Sequence, residues 1–219
     1  MCQRFFIADI GEDELIAVMR AEAARRQRII TGESTVARGE AAPGMIVAAL
    51  AVGRNGEIGA YPMQWGFHRP DGGLIVNTRS ETALEQALLR PTLLQRRCLI
   101  PCSWYLEWES RAGHLSLLGD DAPGEAQARI VYALRPKAPG MMYLAAIYRY
   151  EADRRLPVFS ILTREQAPDI SFISDCMPVV FSERHHHAWL RRDGDVRAAL
   201  RLCEREMACR PVHTPPRAA

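Results

Sequence analysis

Short apolar runs joined by hairpin-length links constrain the fold of this 219-residue chain more than any other feature. They occupy residues 3–9, 45–52, 74–76, 97–101, 104–109, 128–134, 142–149, 158–163 and 177–181, and they read as strands. Arg54-Asn55-Gly56, just after the second run, is a hairpin signal. Residues 12–29 differ. Leu15, Ile16, Met19 and Ala23 fall at helical spacing, with acids early and Arg25, Arg26 and Arg28 late, which suits the helix dipole. Thr31-Gly32-Glu33-Ser34 ends that helix. Shorter helices are expected over 81–89 (capped by Thr78 or Ser80 and stopped by Pro91), 166–172, 183–191 and 194–203. There is no β-α-β period and no internal repeat. The expectation is an α+β fold: one domain whose strongly bent, mainly antiparallel, barrel-like sheet is surrounded by helices. That domain spans residues 1–210, and 211–219 form a frayed C-terminal tail.

Apolar residues make up 48% of the chain and charged residues 25%, enough to bury a full core. The net charge is only +2, and Lys137 is the sole lysine among 28 basic side chains. Arginine forks bind phosphate bidentately and stack on bases, so any nucleic-acid surface must be local. No signal peptide or membrane span is apparent, so the six cysteines read as reduced thiols of a cytoplasmic protein. Cys98 and Cys102 with Cys203 and Cys209 match no zinc-ribbon or finger spacing. His185-His186-His187 lie on an expected helix, where neighbours point about 100° apart, so they read as a solvated surface. No metal or cofactor is expected, and the chain is expected to be a monomer.

The N-terminus reads Met1-Cys2-Gln3-Arg4-Phe5-Phe6. Removal of Met1 before a small side chain leaves an α-amine and a thiol on adjacent carbons of Cys2. The amine, with a reference pKa of about 8, attacks an aldehyde as a Schiff-base nucleophile. The thiol then closes on the imine carbon as a five-membered thiazolidine, helped by a large effective molarity.

Four more stretches follow in order: Trp65-Gly66-Phe67; Asn77-Thr78-Arg79-Ser80-Glu81-Thr82; Arg97-Cys98-Leu99-Ile100-Pro101; and Leu106-Glu107-Trp108. Together with the Met-Cys-x-Arg-Phe start, they resemble the SRAP family, the SOS-response-associated putative peptidases, from Cys2 to about Phe181. That family includes abasic-site DNA–protein crosslinking proteins. The resemblance implies that Cys2 traps the ring-opened aldehyde of an abasic site in single-stranded DNA. It implies that Glu107 is the active-site glutamate and that Asn77 and Arg79 contact DNA. Arg4 and Glu81 join the DNA-binding set, and Trp65 lines the DNA groove. The residue chemistry agrees. A carboxyl beside Trp104, Tyr105 and Trp108 tends toward a raised pKa suited to a general acid. Arginines suit phosphates, and Trp65 could stack on a base. The structural alternatives are an outward-facing strand residue for Glu107, a salt bridge for the arginines, core packing for Trp65 and a turn cap for Asn77.

The chain departs from the family pattern in two main places and in lesser ones. The late Ile-His-Asp-Arg-Met-Pro motif becomes Ile173-Ser174-Asp175-Cys176-Met177-Pro178, so Ser174 stands where the family has a catalytic histidine. Serine moves no proton near neutral pH. Steps that rely on the histidine should slow, including imine formation, strand-cleaving lyase activity and crosslink reversal. Glu40 stands where many members have asparagine, before Ala41-Ala42-Pro43-Gly44, and could hold the Cys2 amine. Trp104, where glycine is usual, could narrow the groove. Three readings stay open: an abasic-site crosslinker with lyase activity, a weakened paralogue that only binds single-stranded DNA, and a thiol peptidase using Cys2.

Overall fold

The structure is a computed structural model, and it describes residues 3–7, 14–109 and 130–212. Residues 110–127, between two of the expected strands, and Cys2, the expected catalytic residue, fall outside the described residues. The chain begins with β1 (Arg4–Ile7) and α1 (Glu14–Thr31). Four strands follow: β2 (Gly39–Ala41), β3 (Ile46–Val52), β4 (Ile58–Trp65) and β5 (Phe67–His68). Then come β6 (Leu74–Ile75), β7 (Asn77–Arg79), α2 (Ser80–Ala83) and α3 (Arg90–Gln95). The middle holds β8 (Arg97–Cys102), β9 (Trp104–Trp108), β10 (Val131–Pro136), β11 (Met142–Arg149) and β12 (Val158–Glu165). The last elements are β13 (Cys176–Pro178), β14 (Val180–Ser182), α4 (His186–Leu190), α5 (Val196–Arg201) and β15 (Met207–Val212).

Two sheets organise most of these strands, and β5 and β6 form a separate antiparallel pair. The smaller runs β15-β10-β9-β1-β2, with every neighbour antiparallel. The larger runs β13-β12-β4-β3-β8-β11-β14, with β7 added beside β12. Its β11 also pairs with β12, so β12, β4, β3, β8 and β11 close into a ring. The α+β, barrel-like expectation therefore holds. The mainly antiparallel sheet has two parallel contacts, β12–β4 and β12–β7.

Strand alternation builds two cores. One face of the ring, with Ala49, Ile100, Leu144 and Ile161, meets Phe5, Tyr105 and Leu134 of the smaller sheet and Ile16 and Met19 of α1. The alternate face, with Leu99, Tyr143, Ala145 and Leu162, packs under Leu93 of α3, Trp189 of α4 and Ala199 of α5. β8 continues into β9 through Ser103, whose N–H donates to Phe6 O (2.9 Å) and ties the bend to β1.

Some sequence expectations fail for local reasons. The apolar run 74–76 gives only a half-exposed two-residue strand, Leu74–Ile75, pairing with β5. The 81–89 helix shortens to Ser80–Ala83 without a side-chain cap. Thr78 instead donates to, or accepts from, Ser160 (2.9 Å), a cross-strand bond that removes it as a cap. Residues 166–172 hold only a 3-10 turn at Pro168–Ile170. β15 was not anticipated; it pairs with β10 and extends through Val212, past the expected tail boundary. His186 is buried against the Tyr143 ring (4.4 Å), with Nδ1 2.6 Å from Glu183 O, so the histidine run is not wholly a solvated surface.

Candidate functional site

The N-terminal strand is clamped between two others. β1 pairs with β9 (Arg4↔Leu106, Phe6↔Trp104) and with β2 (Phe5↔Ala41, Phe6↔Glu40). Paired residues share a face and successive ones alternate, so the register sorts the candidates. Arg4, Glu40, Trp104 and Trp108 lie on the outer face of the smaller sheet. Glu107, like Tyr105, lies on the opposite face, toward the core shared with the ring.

On the outer face, the Arg4 guanidinium donates twice to the Glu40 carboxylate through Nε and Nη2. It also lies over the Trp108 ring, 5.2 Å from the centroid. Trp104 stacks on Phe6 (4.6 Å, 5° between planes), and Arg210 approaches its ring at 5.5 Å. Glu40 thus holds Arg4 against the aromatic side chains.

On the inner face, Glu107 is 5% exposed, and burial pushes its carboxyl above the ordinary glutamate value. Its strand partner on β10 is Tyr132, whose ring meets Phe172 edge-on at 5.6 Å. Asn77 enters from the other wall. It pairs with Ile161 of β12, whose side chain belongs to the shared core, so its half-buried amide faces the same interlayer space. Arg79 shares that face of β7 but is half exposed, and its Nε is 3.6 Å from Glu81. Glu81 Oε1 also accepts from the Glu165 N–H (3.0 Å), anchoring α2 to the end of β12.

Two candidates are placed elsewhere. Trp65 is fully buried. Its indole N–H donates to Val76 O (3.0 Å), and its ring packs against Phe5 (5.0 Å) and Phe159 (6.2 Å). An enclosed indole has no free face for a base, so this structure favours the core-packing alternative for Trp65. Ser174 is buried, and its hydroxyl donates to Cys176 O (2.7 Å) within its own turn. That hydroxyl is committed to a backbone carbonyl.

The motif arginine Arg97 also serves structure. It is 6% exposed, and it donates to Trp189 O (2.7 Å), Leu94 O (2.7 Å), Leu93 O (3.2 Å) and Arg191 O. Sequence reasoning missed Trp104 and Arg210 as neighbours because no local pattern announces a β9–β10–β15 pairing. Among the described residues no group of three or more His, Cys, Asp or Glu side chains could hold a metal ion. No helix among them is long and apolar enough to cross a membrane.

A family model described as SOS response associated peptidase (SRAP) matches residues 1–215. The curated Abasic site processing protein YoaM of Bacillus subtilis (strain 168) is 25% identical over 154 residues, 66% of this chain and 61% of that protein. Abasic site processing protein YoqW of Bacillus phage SPbeta is 23% identical over 154 residues, 66% of this chain and 62% of that protein. The chain thus spans about three fifths of the length of these curated relatives. Among solved structures, a protein from Bacteroides thetaiotaomicron superposes with a TM-score of 0.69 at 16% identity, covering 97% of this chain and 92% of that one. A phage-related protein from Bordetella bronchiseptica gives 0.64 at 16% identity, covering 97% and 95%. At these identities the structural likeness extends to the fold.

Proposed function

The chain belongs to the SOS response associated peptidase (SRAP) family, and from that premise we propose that it processes abasic sites in single-stranded DNA by crosslinking to them through Cys2. The carrying observation is the clamping of β1. Arg4 pairs with Leu106, one residue from the buried Glu107, so the strand that leads from the N-terminus is fixed beside the only buried carboxylate among the described residues. The covalent chain allows at most about 7 Å between the Cα atoms of residues 2 and 4. In this reading that short tether is what lets Cys2 work with Glu107. The names of the relatives YoaM and YoqW support abasic sites as the target.

The proposed chemistry balances without a cofactor. The Cys2 amine adds to the C1′ aldehyde of the ring-opened sugar, giving a carbinolamine. Glu107, whose carboxyl burial pushes above the ordinary glutamate value, gives a proton to the departing hydroxyl; water leaves, and the N–H proton of the resulting iminium returns to the Glu107 carboxylate as the imine forms. The thiol adds to the imine carbon, its proton passes to nitrogen, and a thiazolidine results. Asn77 orients the sugar, while Arg79 takes a phosphate at the rim.

A second reading has one observation in its favour. The Ser174 hydroxyl is tied to Cys176 O, so no group there moves a proton, which suits a slow or purely non-covalent DNA-binding paralogue. One experiment tests both. The protein is incubated with a single-stranded oligonucleotide carrying one abasic site, and the mixture is run on a denaturing gel. A shifted band that disappears in Cys2→Ala is the expected result. No shifted band under any condition, with retained binding in a native gel, would overturn crosslinking in favour of the second reading.

A further inference from the structure

A large cavity among the described residues has neither Glu107 nor Asn77 in its lining. It has a volume of about 710 Å³, within the range of small-molecule sites. It opens where the β3–β4 turn, the β11–β12 connection, the end of α1 and the segment after α4 converge. Gly44 N–H donates to Trp65 O, which fixes the start of β3 beside the core. The cavity gathers the far end of β3, about 20 Å along the strand.

Its lining is cationic. Arg26, Arg54, Arg155 and Arg192 contribute guanidinium groups, and no aspartate or glutamate lines the cavity. Arg26 is neutralised by Glu22. The other three have no carboxylate partner among the described residues. Arg192 donates to Val52 O (2.7 Å) and Gly53 O (3.1 Å), which fixes its head at the mouth without cancelling its charge. Arg54 and Arg155 stand exposed at the rim.

The walls are aromatic and apolar. Tyr61, Tyr148 and Tyr150 line the cavity together with Ile29 and Ile30. Tyr150 is 65% exposed and Ile29 73%, an unusual outlay of large apolar surface at the edge of a cation cluster. Arg26 sits over the Tyr61 ring at 4.3 Å, so one aromatic wall is already held in place.

We infer that this cavity is a second binding site, taking a nucleoside phosphate. The uncompensated guanidinium groups match the dianionic phosphate of a monoester. The exposed tyrosine ring supplies a stacking face for the base. The same chemistry is presented by a free nucleotide and by the phosphorylated end of a nucleic-acid strand.

Calorimetric titration of the full chain separates the alternatives. The titrants are deoxyadenosine monophosphate, inorganic phosphate, deoxyadenosine and a short 5′-phosphorylated oligonucleotide. The nucleotide should bind one site, at least about tenfold more tightly than phosphate or the nucleoside alone. The double variant Arg54→Ala/Arg155→Ala should weaken nucleotide binding at least about tenfold with an unchanged melting temperature, since both side chains are exposed. Tyr150→Ala should weaken the nucleotide and the nucleoside while leaving phosphate unaffected. Competition by the oligonucleotide assigns the site to a strand end, and lack of competition assigns it to the free nucleotide. Absence of saturable nucleotide binding, or binding equal in the double variant, would overturn the inference. Cys2→Ala should bind nucleotide normally, so this result stands apart from the crosslinking reading.

Discussion

Single residues decide how far the chemistry can go, and Glu107 is the sharpest case. Its burial penalises the charged form, so its folded pKa lies above its unfolded value. The folded state then holds a proton that the unfolded state has lost. Stability contributed by the neutral carboxyl is complete below the unfolded glutamate pKa and is lost as pH rises through the folded one. Glu107→Gln should therefore gain on the parent protein as pH rises from about 4 to 7, read as a growing difference in urea midpoints. The same variant should slow crosslinking by about 10²- to 10⁴-fold, measured as band formation over time. Ser174 should behave in the opposite way. Ser174→Ala removes the bond to Cys176 O and should cost about 1 kcal/mol of stability while crosslinking stays within about threefold. A large rate loss there would return Ser174 to the catalytic set. The family resemblance proposes Glu107 and Asn77 as site residues, and their residue types suit the chemistry. The sequence leaves Trp65 open between groove and core, since a tryptophan after an apolar strand looks the same whether its ring faces a groove or, as here, Phe5 and Phe159.

Elements were legible where apolar runs are uninterrupted. The runs at 142–149 and 45–52 correspond to β11 and, one residue shorter, to β3. β4 was assigned no range, although a hairpin signal preceded it. Pro62 and Gly59 break its strand character locally, yet it pairs along its whole length with β3, from Ile58↔Val52 to Gln64↔Ile46. Tertiary pairing outweighs propensity there. Two positions at element junctions carry predictions. Gly66, between β4 and β5, has φ +117°, and an added Cβ would come within 3.0 Å of the Leu74 side chain. Gly66→Ala should cost about 1–3 kcal/mol, and each kcal/mol should lower the melting temperature by about 2–4 °C. Arg97 joins β8 to the ends of α3 and α4 through four carbonyls. Arg97→Met keeps the volume but leaves those acceptors unpaired. It should lower stability by at least about 1.5–3 kcal/mol without touching nucleic-acid affinity measured on the remaining folded protein.

The whole molecule closes through contacts that no local pattern encodes. The β11–β12 pairing joins neighbours in sequence, but the parallel β12–β4 contact links Phe159 to Trp65 across much of the chain. A list of strands does not reveal such partners, because register is set by which faces must be buried together. Charge is organised at the same scale. Arginines supply all but one of 28 basic side chains, yet many are already matched: Arg4 by Glu40, Arg69 by Asp71, Arg149 by Glu151 and Arg191 by Asp193. With a net charge of +2, long-range attraction to DNA is weak, so the proposed non-covalent affinity must come from a few local contacts. For single strands each neutralised phosphate contributes about −0.7 to the slope of log K against log salt. Two or three contacts near Arg79 give a slope of about −1.4 to −2.1. Fluorescence anisotropy of an intact labelled oligonucleotide, titrated between about 50 and 200 mM salt, reads that slope directly. Arg79→Ala should make it shallower by about 0.7, whereas Cys2→Ala, which removes only the covalent step, should leave it unchanged. A slope steeper than about −4 would mean that the paired arginines release their carboxylates for phosphate, and the local picture of the DNA surface would have to be abandoned.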